Sequence, residues 1–234
     1  MTYELIQGDC EDILSTFADK SIAAAIIDPP YGIGESRYRV MSRGNMAAPT
    51  DYGDFDWDQQ PASSAAITHI QRITKVQAIF GGNYFDLPPT NCWLIWDKLN
   101  GDNDFADCEM AWTNHKGATR IFRHMWNGFL RASEKDKRVH PSQKPVALMR
   151  WVIEQLRIPA GATILDAYMG SGPVGVAAIQ LGYNYIGVEK DERYFQIAKR
   201  RIEDAARAAN GLPKLIVGNP TDLDNLPMFS ESYA

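Results

Sequence analysis

Residues 22–31 read IAAAIIDPPY, and this stretch constrains the fold more than any other. Ile22 to Ile27 is an unbroken apolar run, too short for a buried helix. Such a run reads as a strand covered on both faces, which is the habit of parallel sheets. The strand stops at Asp28, followed by Pro29, Pro30 and Tyr31. Neither proline has an N–H, and a residue ahead of a proline is driven to extended backbone. The chain therefore leaves the strand in a stiff hook. The Asp28 carboxylate and the carbonyls of Pro29 and Pro30 remain as acceptors, with the ring of Tyr31 beside them. In open α/β sheets, ligands bind at the carboxyl ends of the strands. This corner suits a flat ligand carrying an amino group, since two acceptors take its hydrogens and the ring covers its face. A strand end with an acidic cap and a proline turn is the plainer reading of the same residues.

The remaining periodicity supports an α/β chain. Strands are predicted over 3–7, 77–81, 92–96, 162–165, 184–188 and 214–217, with residues 109–114 and 119–125 forming a pair of strands. Helices are predicted over 10–18, 61–76, 145–157, 173–182 and 191–209. The 61–76 helix is expected to be capped by Asp58, with Pro61 in its first turn. The 234 residues are 45% hydrophobic, enough for one domain spanning 1–234 with a long loop at 32–60. No run of ~18 apolar residues exists and the first residues do not resemble a signal peptide, so no membrane partner is expected. Cys10, Cys92 and Cys108 are scattered without metal-site spacing, which predicts a reduced, cytoplasmic protein. Asp54, Asp56 and Asp58 alternate as in a calcium loop but lack its glycine and distal glutamate, so no metal site is expected.

Gly170-Ser171-Gly172-Pro173-Val174-Gly175 is a G-x-G-x-x-G between a predicted strand and helix, and Glu189 ends the next strand 19 residues after Gly170. Taken alone, this is the dinucleotide fingerprint, and it raises an NAD-dependent oxidoreductase as one reading. Three observations favour S-adenosylmethionine (AdoMet) instead. Asp166 stands just before the loop, where a carboxylate would repel a pyrophosphate and attract an ammonium or sulfonium. The loop comes late, leaving about 60 residues, too few for the second half of a dinucleotide fold. A dehydrogenase also gives no role to the Asp28 hook, or to the segment His140-Pro141-Ser142-Gln143-Lys144-Pro145 at the start of a helix. A helix N-terminus of that kind favours an anion.

These motifs together resemble the β-class amino-methyltransferases of DNA. Asp28-Pro29-Pro30-Tyr31 is similar to their motif IV, Asp166 to Gly172 to motif I, the His140–Pro145 segment to motif X, and Gly8-Asp9-Cys10 to motif III. Hook first and glycine loop last is the permuted order of that class. The resemblance implies a Rossmann-like methyltransferase fold, a mostly parallel sheet with helices on both faces. It implies AdoMet as cofactor, held by Asp9, Cys10, His140, Ser142, Lys144, Asp166, Tyr168, Gly170, Ser171, Gly172 and Glu189. It places a flipped base on Asp28, Pro29, Pro30 and Tyr31, and adenine-N6 methylation of double-stranded DNA is the function expected. Asp rather than Ser at the first motif position favours adenine over cytosine-N4. Departures from the motifs are Ala167, Tyr168, Pro173-Val174 and Ser142. A catalytically weak DNA-binding protein with the same fold is the remaining alternative.

Net charge is −5, yet residues 116–150 carry nine Lys or Arg and only two acids. A basic stretch on an acidic body is an electrostatic footprint for phosphates. Lys116, Arg120, Arg123, Arg131, Lys135, Lys137 and Arg138 are the candidate DNA contacts, within a small target-recognition region at about 97–139. A solvated charged loop is the competing reading of that stretch. A homodimer is a candidate assembly.

Overall fold

A computed structural model describes residues 1–33, 60–101, 106–126 and 143–212. The strands are β1 (Tyr3–Gln7), β2 (Ile22–Ile27), β3 (Thr74–Phe80), β4 (Trp93–Asp97), β5 (Cys108–Thr113), β6 (Arg120–Arg123), β7 (Thr163–Asp166) and β8 (Asn184–Glu189). The helices are α1 (Cys10–Ser15), α2 (Ser64–Ile73), α3 (Val146–Leu156), α4 (Pro173–Gln180) and α5 (Glu192–Ala209). One eight-stranded sheet has the order β1-β8-β7-β2-β3-β5-β4-β6. All neighbours run parallel except β5, which is antiparallel to both β3 and β4.

The apolar run of β2 divides between two cores because successive side chains point to opposite faces. Ala25 and Ile27 join Leu14, Ile67, Ile70 and Ile79 beneath α1 and α2. Ala24 and Ile26 join Phe80, Val152, Ile153, Ala177 and Ile202 beneath α3, α4 and α5. Both faces of β2 are thus covered, as its composition predicts.

From β2 the chain moves outward through α2 to β3, and from β7 it moves the other way through α4 to β8. The neighbours β2 and β7, paired at Ala24 with Ile164 and Ala25 with Leu165, therefore flank a point where the winding reverses. A crevice opens at the carboxyl ends of such a pair, and it is the preferred ligand site of doubly wound sheets. Asp28 follows β2 and Asp166 ends β7, so the hook and the glycine loop, far apart in sequence, meet at this crevice.

Four expectations are corrected. Helix α2 begins at Ser64, with the Ser63 hydroxyl accepting from the Ala66 N–H at 3.0 Å, so Asp58 is not the cap. Pro61 lies before the helix and bridges to Tyr31, and β3 starts at Thr74, earlier than expected. Strands β5 and β6 do not pair with each other. Strand β4 lies between them, antiparallel to β5 and parallel to β6, so residues 108–113 and 120–123 belong to the sheet itself. The strand expected at 214–217 and the acids Asp54, Asp56 and Asp58 lie outside the described residues. Among the described residues, no helix is long and apolar enough to cross a membrane.

Candidate active site

A cavity of about 560 Å³ occupies the crevice. It is lined by Asp9, Cys10, Asp28, Pro30, Lys144, Asp166, Tyr168, Gly170, Ser171 and Glu189, all expected from the sequence, and its size suits a small-molecule cofactor. Pro61, Phe80, Met149 and Lys190 line it too and were not expected. His140 and Ser142 lie outside the described residues.

The glycine loop is held by carboxylates. The N–H of Gly170 donates to Glu189 Oε2 at 2.7 Å, and the N–H of Asp191 donates to Oε1 at 2.9 Å. Gly172 supports the turn with φ of +76° at the N-cap of α4, and its missing side chain leaves room for Ala198. Arg201 of α5 donates to the carbonyl and hydroxyl oxygens of Ser171, at 2.6 and 3.1 Å.

Asp166 is 2% exposed. It accepts from the Tyr168 N–H at 3.2 Å and from the Tyr185 hydroxyl at 3.3 Å. Burial, with no cation beside it among the described residues, pushes its carboxyl up to about 8. Asp9 caps α1 by accepting from the Glu11 N–H, and its other oxygen meets Lys190 at 2.9 Å. The Lys190 hydrogen bond holds the Asp9 carboxyl below its usual range. Burial raises the Cys10 thiol, which faces Tyr168 and is a poor nucleophile in this state.

At the hook, the Tyr31 hydroxyl donates to Asp28 Oδ1 at 2.5 Å, and Lys144 is ion-paired with Oδ2. Lys144 lines the cavity, as expected of a cofactor ligand, but its ammonium sits on Asp28 and, at 3.1 Å, on Glu109. Burial pushes the Asp28 carboxyl up, and the Lys144 charge opposes this. The ring of Tyr31 stacks on Tyr84, with centroids 5.1 Å apart at 15°, and meets Phe85 edge-on. Sequence reasoning missed Tyr84, although its position just after Gly81-Gly82 at the end of β3 was a signal. It also missed Glu109, a lone acid in an apolar strand that no motif flags.

Gly81 makes the hook's geometry possible. It has φ of +62°, and a Cβ there would overlap the Tyr31 ring. Gly81→Ala is expected to destabilise the protein by about 1–3 kcal/mol, read as a lower urea midpoint, because strain and a displaced ring add. An unchanged midpoint would remove Gly81 as the seat of the ring.

The described basic residues, Lys116, Arg120 and Arg123, do not gather in one place. Lys116 lines a groove with Lys20, Gln71 and His115 at the end of the sheet away from the cavity. Arg120 begins β6 near that far end, whereas Arg123 ends β6 on the cavity side and pairs with Asp97 at 3.3 Å. Arg131, Lys135, Lys137 and Arg138 lie outside the described residues.

Comparison with known proteins places this geometry. A DNA methylase family model, that of the N6/N4 methylases, matches residues 75–200. YubD of Escherichia coli (strain K12) is 27% identical over 219 residues, covering 87% of this chain and 91% of YubD. The type II methyltransferase M.HinfI of Haemophilus influenzae is 24% identical over 272 residues, covering 96% of this chain and 72% of that enzyme. Among solved structures, the SAM complex of M1.HpyAVI superposes with a TM-score of 0.53 at 20% identity, covering 86% of this chain and 99% of that one. The cytosine-N4-specific PvuII DNA methyltransferase does so with a TM-score of 0.55 at 15% identity, covering 91% of this chain and 94% of that one. These likenesses show a shared methyltransferase fold, and with over half of the sequence matched by the family model, the chain belongs to the N6/N4 DNA methylases.

Proposed function

We propose that the protein transfers a methyl group from AdoMet to the exocyclic N6 of an adenine flipped out of double-stranded DNA. The observation that supports this reading is one cavity lined by Asp28 and Pro30 of the hook and by a buried acid, Asp166, beside a glycine loop. Family membership implies the cofactor, and the residues fit it. Asp166 is a buried acid with no cation beside it among the described residues, and the ammonium of AdoMet would supply one. Glu189 and Asp9 offer carboxylates to hydroxyl and amino groups, with Tyr168, Gly170 and Ser171 shaping the wall, Cys10 at its edge and Gly172 holding the turn behind it. AdoMet supplies the methyl group.

A base inside a duplex cannot reach this cavity, so it must be flipped out. Asp28 and the Pro29 carbonyl accept the two amino hydrogens. This draws the nitrogen lone pair out of conjugation and aims it at the cofactor end of the cavity. Tyr31 stacks on the base, braced by Tyr84. Orientation and fixed dipoles do the rest, in a site where no metal is required. We assign phosphate contacts to Arg123, Arg131, Lys135, Lys137 and Arg138, and a lesser part to Lys116 and Arg120, which begin at the far end of the sheet.

Cytosine also carries an exocyclic amino group, and the fold is shared with a cytosine-N4 enzyme. The Asp at position 28 favours adenine. Nucleoside mass spectrometry of unmethylated DNA incubated with protein and AdoMet is the test. N6-methyladenine is expected. N4-methylcytosine would overturn the choice of base, and neither product would favour a DNA-binding protein without activity.

A further inference from the structure

Each oxygen of the Asp28 carboxylate already holds one donor in this structure. Oδ1 accepts from the Tyr31 hydroxyl, and Oδ2 is paired with Lys144. The reaction proposed above needs an Asp28 oxygen for the amino group of the base. A base amino group at Oδ2 brings a second donor against the ammonium and loosens its hold on that oxygen. Lys144 is 5% exposed, and an unpaired ammonium at such a depth is strongly disfavoured.

Glu109 is placed to receive it. The residue begins β5, which runs antiparallel and so brings its first residues to the cavity end of the sheet. Glu109 Oε2 is buried and lies 3.1 Å from Lys144 Nζ, so the ammonium already touches its second acceptor. The other Glu109 oxygen is fixed by Lys98, which follows β4, at 2.5 Å. Phe80, at the end of β3, lies 4.9 Å from the ammonium and walls it in. Hence Lys144 has two seats, Asp28 and Glu109, and a short path between them. Two cations and two carboxylates make the cluster neutral, so a shift of the ammonium leaves no buried excess charge.

We propose that Glu109 is a positioning residue for methyl transfer, the second seat of the Lys144 ammonium, which moves from Asp28 towards Glu109 as the base docks. This rests on the reading of Asp28 as the acid that binds the base. The charged and titratable groups that face Asp28 are Lys144 from the start of α3, Glu109 from β5, Tyr31 from the hook and Asp166 from β7. Glu109 repels the Asp28 carboxylate and helps to raise its carboxyl.

Glu109→Gln keeps the shape and removes the charge, so Lys144 should stay on Asp28. Single-turnover transfer of labelled methyl groups to unmethylated DNA, with AdoMet affinity by calorimetry, is the test. The transfer rate is expected to fall ~10²-fold while AdoMet affinity stays within about twofold. The acid limb of the rate profile should move to lower pH, because Asp28 loses a like charge. Glu109→Asp should recover part of the rate, and Lys98→Met should give a smaller loss in the same direction. A wild-type rate and profile in Glu109→Gln would overturn the second seat, yet leave the proposed function standing. Equal losses of AdoMet affinity and rate, with no recovery in Glu109→Asp, would overturn it by making Glu109 a packing residue. Absence of transfer by the wild-type protein would instead sink the reading of Asp28, and this inference with it.

Discussion

Asp28→Ala is expected to reduce methyl transfer at least ~10³-fold while AdoMet binding stays close to wild type. The two functions sit on different strands, Asp28 after β2 and Asp166 with Glu189 on β7 and β8. Asp28 acts most strongly as the amino lone pair turns out of the ring plane, so its loss falls on the chemical step. Asp28→Asn should be intermediate, since its carbonyl oxygen still accepts but carries no charge. The fold should survive, because Lys144 retains Glu109 at 3.1 Å when Asp28 is removed. Tyr31→Ala should behave differently. It removes stacking, which holds the base before and during transfer, so turnover should persist at high DNA concentration. Single-turnover labelling separates the two, and wild-type transfer by Asp28→Ala would reduce the hook to a strand cap.

How much of this was legible in the sequence depends on distance along the chain. The run Ile22–Ile27 announced a strand buried on both faces, and the prolines announced where it stops. Both are local effects of composition and backbone sterics. The glycine loop before α4 was equally local. The meeting of the hook and loop was implied by the family's motif order, and the sheet order supplies its physical form at β2 and β7. The relation of β5 to β6 was not legible. Two strands separated by a short polar turn look like a hairpin, and only the sheet order reveals that β4 intervenes. The cap of α2 was misread because several acids precede the helix, while Ser63 at the true boundary is an ordinary serine. Least legible were side-chain destinations. Tyr31 bonds its own hook through its hydroxyl, and Lys144 reaches Asp28 across 116 positions of sequence. Long side chains choose partners in three dimensions, and spacing says little about them.

AdoMet affinity is expected to rise with pH between about 6 and 7.5, and Asp166 is expected to be the cause. With its carboxyl pushed up to about 8 by burial, Asp166 is mostly protonated at neutral pH when no cation is present. To pair with an ammonium it must give up that proton, so binding releases one, and the release is easier as pH rises. Above the window the ammonium of the cofactor starts to lose its own proton, since α-amino groups titrate near about 8. Calorimetry in buffers of different ionisation enthalpy would count the proton. Asp166→Asn should bind AdoMet ~10- to 100-fold more weakly, the cost of a charged hydrogen bond made neutral, with little pH dependence in that window. Stability should show the reverse dependence in the cofactor-free protein. The unfolded chain ionises Asp166 near the ordinary carboxyl value of 3.8, whereas the folded chain holds the proton to about 8. The folded state therefore binds more protons across that range. Its contribution is complete below the unfolded value and is lost as pH rises through the folded one. Added AdoMet should lessen the loss, and Asp166→Asn should remove the dependence. A wild-type affinity that is flat from pH 6 to 7.5, or an Asn variant that binds as tightly, would take Asp166 out of the cofactor site.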